Sequence, residues 1–392
     1  MAKQAQVDGW KLAVIWNNFG PYHYARIRGL AERFSVDAIR LATFSTQHPW
    51  PAEVDLCGAR IMSLREGALQ DQSKLGLGFD LWRALGKLGP DVVLVPGYSS
   101  FAALVAAVWA RTHSAVSIMM SESNHDDHVR NPAKESLKRR LVRALFDAAV
   151  VGGVRAGAYA ESLLGLPSEH IAYGVDVVDN EFFRIHAERL RAVASAKDNG
   201  LPLKYFVCVA RLSPEKNLAE LIRAFAAYRL AGGTWDLIIV GRGSLEEELR
   251  SLAIQTGVQS QVHFAGFKNG IDLIVMYAFA TCFVLASTRE PWGLVVNEAM
   301  ASHLPVIVSS RCGCVDNLVE HGVNGFVFDP LSTDELCCCL LQMEAMPEAD
   351  REAMGRRSEA IISRYTPQEC ANEIARLLLR IGSPDHRKAA TD

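Results

Sequence analysis

Cysteine is scarce in this 392-residue chain and oddly placed: nine residues, three of them consecutive (Cys337, Cys338, Cys339) and two flanking a glycine (Cys312, Cys314). No C-x-x-C pair stands near a second pair or near H-x₃₋₅-H, so the common zinc spacings are missing. Thiols without a framework fit small buried hydrophobes in a reducing compartment. Charge of either sign is not in excess, with Lys+Arg 41 against Asp+Glu 44 and a net charge of −3. That balance supplies no global field for nucleic acid, and no nucleic-acid partner is expected. Residues 1–11 are polar and lack the apolar centre of a signal peptide. The longest uncharged run, Val92 to Ala110, is split by Pro96-Gly97-Tyr98-Ser99-Ser100. It therefore reads as a strand and a helix start, not a membrane span. A cytoplasmic location is expected. D-x-D is absent, as is the G-x-x-x-x-G-K-[ST] phosphate loop.

What is present is a soluble globular composition, 49% hydrophobic and 22% charged, in a chain long enough for two domains. Short apolar runs alternate with helical patterns throughout. In the first half Leu12–Trp16, Val36–Leu41, Val92–Val95, Val116–Met119 and Ala148–Val151 read as strands buried on both faces. Tyr24–Arg33, Ser100–Arg111 and Pro132–Phe146 read as the helices between them. The pattern pauses over 179–204, where Asp198-Asn199-Gly200-Leu201-Pro202 is a loop signal, and then restarts. Tyr205–Ala210, Asp236–Val240, Val262–Phe264, Cys282–Leu285, Val306–Val308 and Gly325–Phe328 are the second set of strands. The expected organisation is a domain over 1–178, a linker over 179–204, a domain over 205–365, and a C-terminal helix and tail over 366–392. That helix, Pro367–Ile381, is free to pack back on the first domain. Two tandem α/β doubly wound parallel sheets place ligands at the carboxyl ends of their strands.

Three regions at such strand ends carry chemistry. Ser287 to Met300 holds two carboxylates, Glu290 in a Pro/Gly loop and Glu298 in the helix that follows. Glu298 alternatively serves only as a first-turn glutamate complementing the helix dipole. In Arg211-Leu212-Ser213-Pro214-Glu215-Lys216, Ser213 reads as an N-cap and Pro214 as the first helical residue. Two cations around a helix N-terminus make an anion site, unless both are merely solvated. Gly241-Arg242-Gly243 is a third strand–glycine turn, but Glu246 stands where the dinucleotide fingerprint needs glycine.

Taken together, Arg211…Lys216, Gly241-x-Gly243, Gly266-Phe267, Glu290-x₇-Glu298 and Pro305-Val306 through Asn324-Gly325-Phe326 resemble retaining glycosyltransferase family 4. The resemblance covers 205–330 in order and rests mainly on topology over 1–178. It implies the GT-B fold, two Rossmann-like doubly wound parallel-sheet domains facing a cleft. It also implies a hexose-type sugar moved from a nucleotide-diphosphate donor to a hydroxyl acceptor, with UDP favoured on family frequency. Arg211 and Lys216, with Gly20, would face the donor diphosphate. Glu298, Gly241, Gly266 and Phe267 would face the ribose and base. Glu290 and the backbone around Trp292, Gly293 and Leu294 would face the transferred sugar. The two cations would do the work of a metal, so neither metal nor cofactor is expected. Retention by same-face attack needs no protein nucleophile, which leaves Glu290 as a positioning and electrostatic partner.

This chain departs from the family at Gly20, a single glycine where many members have two, and at His303, where the family has glycine at a helix end. His125, in the polar run Ser121 to Asp126, is the candidate for the family's sugar-side histidine, with a plain surface loop as the alternative. His125-Asp126-Asp127-His128 also suggests a metal, although four adjacent residues rarely converge on one ion. The basic stretch 130–143, with Leu137, Leu141 and Leu145 at helical spacing, is either a core-packed helix or a contact for an anionic membrane. A nucleotide-sugar epimerase and a catalytically idle nucleotide-sugar-binding protein are the rival readings. Oligomeric state is not legible.

Overall fold

The computed structural model describes residues 9–44, 58–128 and 130–382. It divides into two compact units, Met1–Val178 with Tyr365–Asp392, and Asp179–Arg364.

The first unit holds β1 (Lys11–Trp16), β2 (Ser35–Phe44), β3 (Arg60–Ala68), β4 (Val92–Pro96), β5 (Val116–Ser121), β6 (Ala148–Val151) and β7 (Ile171–Tyr173). They form one parallel sheet in the order β3-β2-β1-β4-β5-β6-β7. Successive residues of β1 feed opposite cores. Leu12 and Val14 meet the helices Pro21–Ala31 and Pro367–Ile381 on one face. Ala13 and Ile15 meet the helices Lys74–Leu88, Phe101–Thr112, Pro132–Leu145 and Val154–Ser162 on the other. Double coverage is why these strands lack alternation. The C-terminal helix sits tightly here: a Cβ on Gly29 would lie 2.5 Å from the Pro367 carbonyl carbon, and Arg380 Nη2 donates to the Ile171 carbonyl at 3.1 Å.

Sequence patterning does not reveal β3 or β7. β3 is an edge strand with mostly exposed or half-buried residues and three charges, and β7 has only three residues.

The second unit holds β8 (Tyr205–Val209), β9 (Asp236–Val240), β10 (Val262–Gly266), β11 (Cys282–Leu285), β12 (Val306–Ser309) and β13 (Gly325–Phe328), all parallel, in the order β10-β9-β8-β11-β12-β13. Each sheet winds outward in both directions from a central pair, β1/β4 and β8/β11. At such a switch point the loops leaving the two strands diverge and open a crevice.

The expected linker 179–204 is instead part of the second unit. Its helix Asn180–Val193 buries Phe183 and Ala187, and Phe183 meets the Tyr277 ring edge-on at 6.2 Å. Arg191 donates to the carbonyls of Ala278 at 2.6 Å and Ser302 at 2.7 Å. A charged, alanine-rich sequence hides this packing because only two side chains carry the apolar face.

Among the described residues no helix is long and apolar enough to cross a membrane. The described cysteines are unpaired, and most are core residues. Burial pushes the Cys208 and Cys370 thiols up to about 12, which removes their thiolate at neutral pH. Cys338 alone among the described cysteines is exposed. Brief alkylation of the native protein, read by peptide mapping, should therefore modify Cys338 well before Cys208, Cys282, Cys312, Cys314 or Cys370. Equal rates across these thiols would contradict the packing.

Candidate active site

The loops leaving β8 and β11, the switch-point pair, bring Lys216 and Glu290 together. Lys216 Nζ forms an ion pair with Glu290 Oε2, and both side chains are largely buried. Ser287 Oγ donates to the same oxygen at 3.2 Å. The two loops are also joined through backbone, Thr288 N–H donating to the Glu215 carbonyl at 2.9 Å.

The local build around Lys216 differs from expectation. Ser213 does not cap a helix; its hydroxyl donates to Glu215 Oε1 at 2.7 Å. Pro214–Lys216 is a single 3-10 turn, Asn217 follows with φ of 56°, and the α-helix begins only at Leu218. The anion site expected at a helix N-terminus is therefore not formed as expected: Lys216 lies in a 3-10 turn ahead of the helix, and its ammonium is turned to Glu290. Arg211 remains mostly exposed, 3.2 Å from Glu215 Oε1. Burial alone would raise the Glu215 carboxyl, but the Ser213 hydrogen bond and the nearby Arg211 and Lys216 cations outweigh it and hold the group low.

Two glycines explain how these loops nest. A Cβ on Gly241 would stand 1.9 Å from the Ala210 carbonyl oxygen, and one on Gly243 would stand 2.2 Å from that of Leu212. The Gly-x-Gly turn is thus a seat for the Arg211 loop, with Leu212 N–H donating to the Arg242 carbonyl at 3.0 Å. The neighbouring β10 ends at Gly266, with φ of 70°, whose carbonyl accepts from Gly241 N–H at 2.9 Å. Phe267 follows with its ring half exposed.

After Glu290 the chain turns at Gly293, with φ of 107°, into the helix Leu294–Ala301. The Trp292 side chain points into the core, its Nε1–H donating to Asn297 Oδ1 at 3.0 Å, so only its backbone is left to face a ligand. Glu298 is beyond the first turn and 2% exposed, its Oε2 accepting from Tyr277 OH at 2.7 Å. Its place beyond the first turn removes the dipole alternative for Glu298. Tyr277 carries no sequence signal of its own, lying in the apolar helix Gly270–Ala278.

The odd Cys312-Gly313-Cys314 triplet is the splint of this loop. Gly313 N–H donates to the Glu290 carbonyl at 2.9 Å and Cys314 N–H to that of Trp292 at 3.2 Å. His303 holds φ of 64°, the left-handed helix end expected there.

In the first unit, Gly20 caps the helix Pro21–Ala31 in an extended conformation that any residue adopts, its N–H 3.0 Å from His23 Nδ1. His125 is exposed, its Nε2 3.1 Å from Ser162 Oγ. Asp127 pairs with Arg130. Arg130 also reaches Tyr159 OH at 3.0 Å, and Tyr159 OH donates to buried Glu135 at 2.9 Å. Burial raises the Tyr159 phenol well above its usual range. Among the described residues no group of three or more His, Cys, Asp or Glu side chains is placed to hold a metal ion.

Residues 195–360 match the model of the family described as glycosyl transferases group 1. An uncharacterized glycosyltransferase of Methanocaldococcus jannaschii is 38% identical over 133 residues, 34% of this chain and 34% of that protein. The alpha-monoglucosyldiacylglycerol synthase of Acholeplasma laidlawii is 28% identical over 182 residues, 46% of this chain and 45% of that protein. The chain thus spans a third to a half of the length of these curated relatives. The Anabaena protein HepE, solved with UDP and glucose, superposes with a TM-score of 0.71 at 19% identity, covering 94% of this chain and 99% of HepE. The fold is GT-B. The matched segment begins just after the helix Asn180–Val193, inside the stretch expected to be a linker, and contains every candidate residue of the second unit.

Proposed function

We propose that the chain is a metal-independent retaining glycosyltransferase, moving a hexose-type sugar from a UDP-linked donor to a hydroxyl acceptor. The observation that carries this reading is the Lys216–Glu290 pair at the β8/β11 switch point, with Glu290 beside Gly293, which precedes the helix Leu294–Ala301. HepE, solved with UDP and glucose, supports the donor base.

On this reading the free enzyme keeps Lys216 neutralised by Glu290. Donor binding exchanges partners: the diphosphate takes Lys216, and Glu290 turns to sugar hydroxyls. The bond from anomeric carbon to phosphate oxygen breaks, and charge collects on the diphosphate. Lys216, Arg211 and the amides at the Leu294 helix start stabilise that charge. The acceptor hydroxyl forms its new bond on the same face and gives its proton to a diphosphate oxygen, so atoms and charge balance without a protein nucleophile. Glu298, oriented by Tyr277, receives ribose hydroxyls, and Phe267 lies against the base. His125 is the first-unit group proposed to approach the sugar.

A thermal-shift panel of UDP, GDP, ADP and TDP, with and without EDTA, tests the donor site. UDP at a hundred times its dissociation constant should add about 2.7 kcal/mol. The shift should persist in EDTA and shrink in Glu298→Gln, which keeps an acceptor for Tyr277. No shift with any nucleotide at saturating concentrations would sink the reading. A UDP shift with no sugar transfer to any hydroxyl in an acceptor screen would favour the idle binding protein.

A further inference from the structure

On one face of the first sheet the helices Lys74–Leu88, Phe101–Thr112 and Pro132–Leu145 lie side by side, the middle one touching both neighbours. Their outer surfaces expose Leu75, Phe79, Trp82, Phe101, Val108 and Leu137. The leucine stripe buries the third helix only in part: Leu145 packs against the core and Leu141 is half-buried, but Leu137 is 69% exposed. The rings bridge the helices, Phe101 lying 2.7 Å from where a Gly78 Cβ would stand and Trp82 edge-on to His113 at 5.7 Å. Single exposed apolar residues are ordinary, but six on three adjacent helices mark a contact surface.

Charge says what kind. The three helices carry nine Lys and Arg against two acids, Asp80 and Glu135. Both acids are already neutralised, by Arg65 at 2.8 Å and by Lys138 at 2.8 Å. The exposed cations include Lys74, Arg83, Lys87, Arg139, Arg140 and Arg143. In a chain of net charge −3 this is strong segregation.

We infer that this three-helix face docks on an anionic lipid surface, its aromatic and aliphatic side chains entering the headgroup boundary while the cations meet acidic headgroups. A second copy fits poorly, since a two-fold contact would press this one-signed face against itself. The face goes beyond the basic helix legible in the sequence, because two of its three helices and five of its six apolar residues come from elsewhere in the chain.

The test is co-sedimentation with phosphatidylcholine vesicles, with and without phosphatidylglycerol, across a salt series. It reads vesicle binding alone and stands whether or not the chain transfers sugar. The protein should sediment with the phosphatidylglycerol vesicles, less so as salt rises. Arg139→Gln/Arg140→Gln/Arg143→Gln should weaken binding by about a hundredfold, at about fivefold per cation. Phe79→Ser/Trp82→Ser should weaken binding and remove what persists at high salt. All five side chains are exposed, so melting temperatures should match the wild type and exclude unfolding as the cause. Failure to bind anionic vesicles at low salt, equal binding to neutral ones, or unchanged binding by both variants would overturn the proposal. So would a dimer in ultracentrifugation that Phe79→Ser/Trp82→Ser dissolves.

Discussion

Replacing Lys216 with alanine is expected to lower kcat by about 10²–10³ while the melting temperature moves only a few degrees. Lys216 bridges the β8 and β11 loops through Glu290, and the proposed reaction asks it to leave that carboxylate for the developing diphosphate charge. A cation aimed at charge that grows in the transition state affects kcat more than donor affinity. Removing it also strands Glu290, and that part is separated by a double-mutant cycle. Glu290→Gln in the Lys216→Ala background should cost less than Glu290→Gln alone, because the two side chains are in contact. Arginine at 216 should rescue incompletely, since a planar fork does not fit the space of a point charge. A kcat within a few-fold of wild type in Lys216→Ala, with the donor saturating, would remove this residue from the mechanism.

Gly313→Ala should be the most damaging single-methyl substitution near the site. Its Cβ would stand 1.7 Å from the Pro291 carbonyl oxygen and 2.7 Å from the carbonyl carbon, both backbone atoms with no flexible end to swing aside. The loop must move, and with it the hydrogen bonds from Gly313 to Glu290 and from Cys314 to Trp292. Overpacking of about 1–3 kcal/mol and roughly 1 kcal/mol for each lost bond sum to about 3 kcal/mol or more. For a unit of this size that is a fall of roughly 10 °C in melting temperature. Activity should fall further than stability, since Glu290 sits on the displaced segment. Calorimetry showing an unshifted transition would mean that the triplet is not the splint described.

Much of this was legible because the physics is local. Apolar runs of four to six residues without alternation, bounded by turn signals and recurring between helical patterns, fit strands covered on both faces, and they gave away most of both sheets. The motif residues follow strands directly, so their place at the carboxyl edge needed no coordinates. Elements failed where the local signal was weak, as in the exposed edge strand Arg60–Ala68 and the helix Asn180–Val193 with its two buried apolar side chains.

By itself the amino-acid sequence determined the fold class, the family pattern of the second unit and the identity of its charged residues, because each is written in composition and short-range spacing. Only the tertiary structure decided which charges meet and which side chains turn inward. Lys216 and Glu290 are 74 positions apart, and Tyr277 and Glu298 are 21 apart. No periodicity links such positions; the winding of the sheet does, by bringing β8 and β11 side by side. The same holds for Trp292 and Leu137, one buried by its bond to Asn297 and the other left in solvent among cations. Burial depends on what the rest of the chain places opposite a residue, and that is a property of packing rather than of the residue itself.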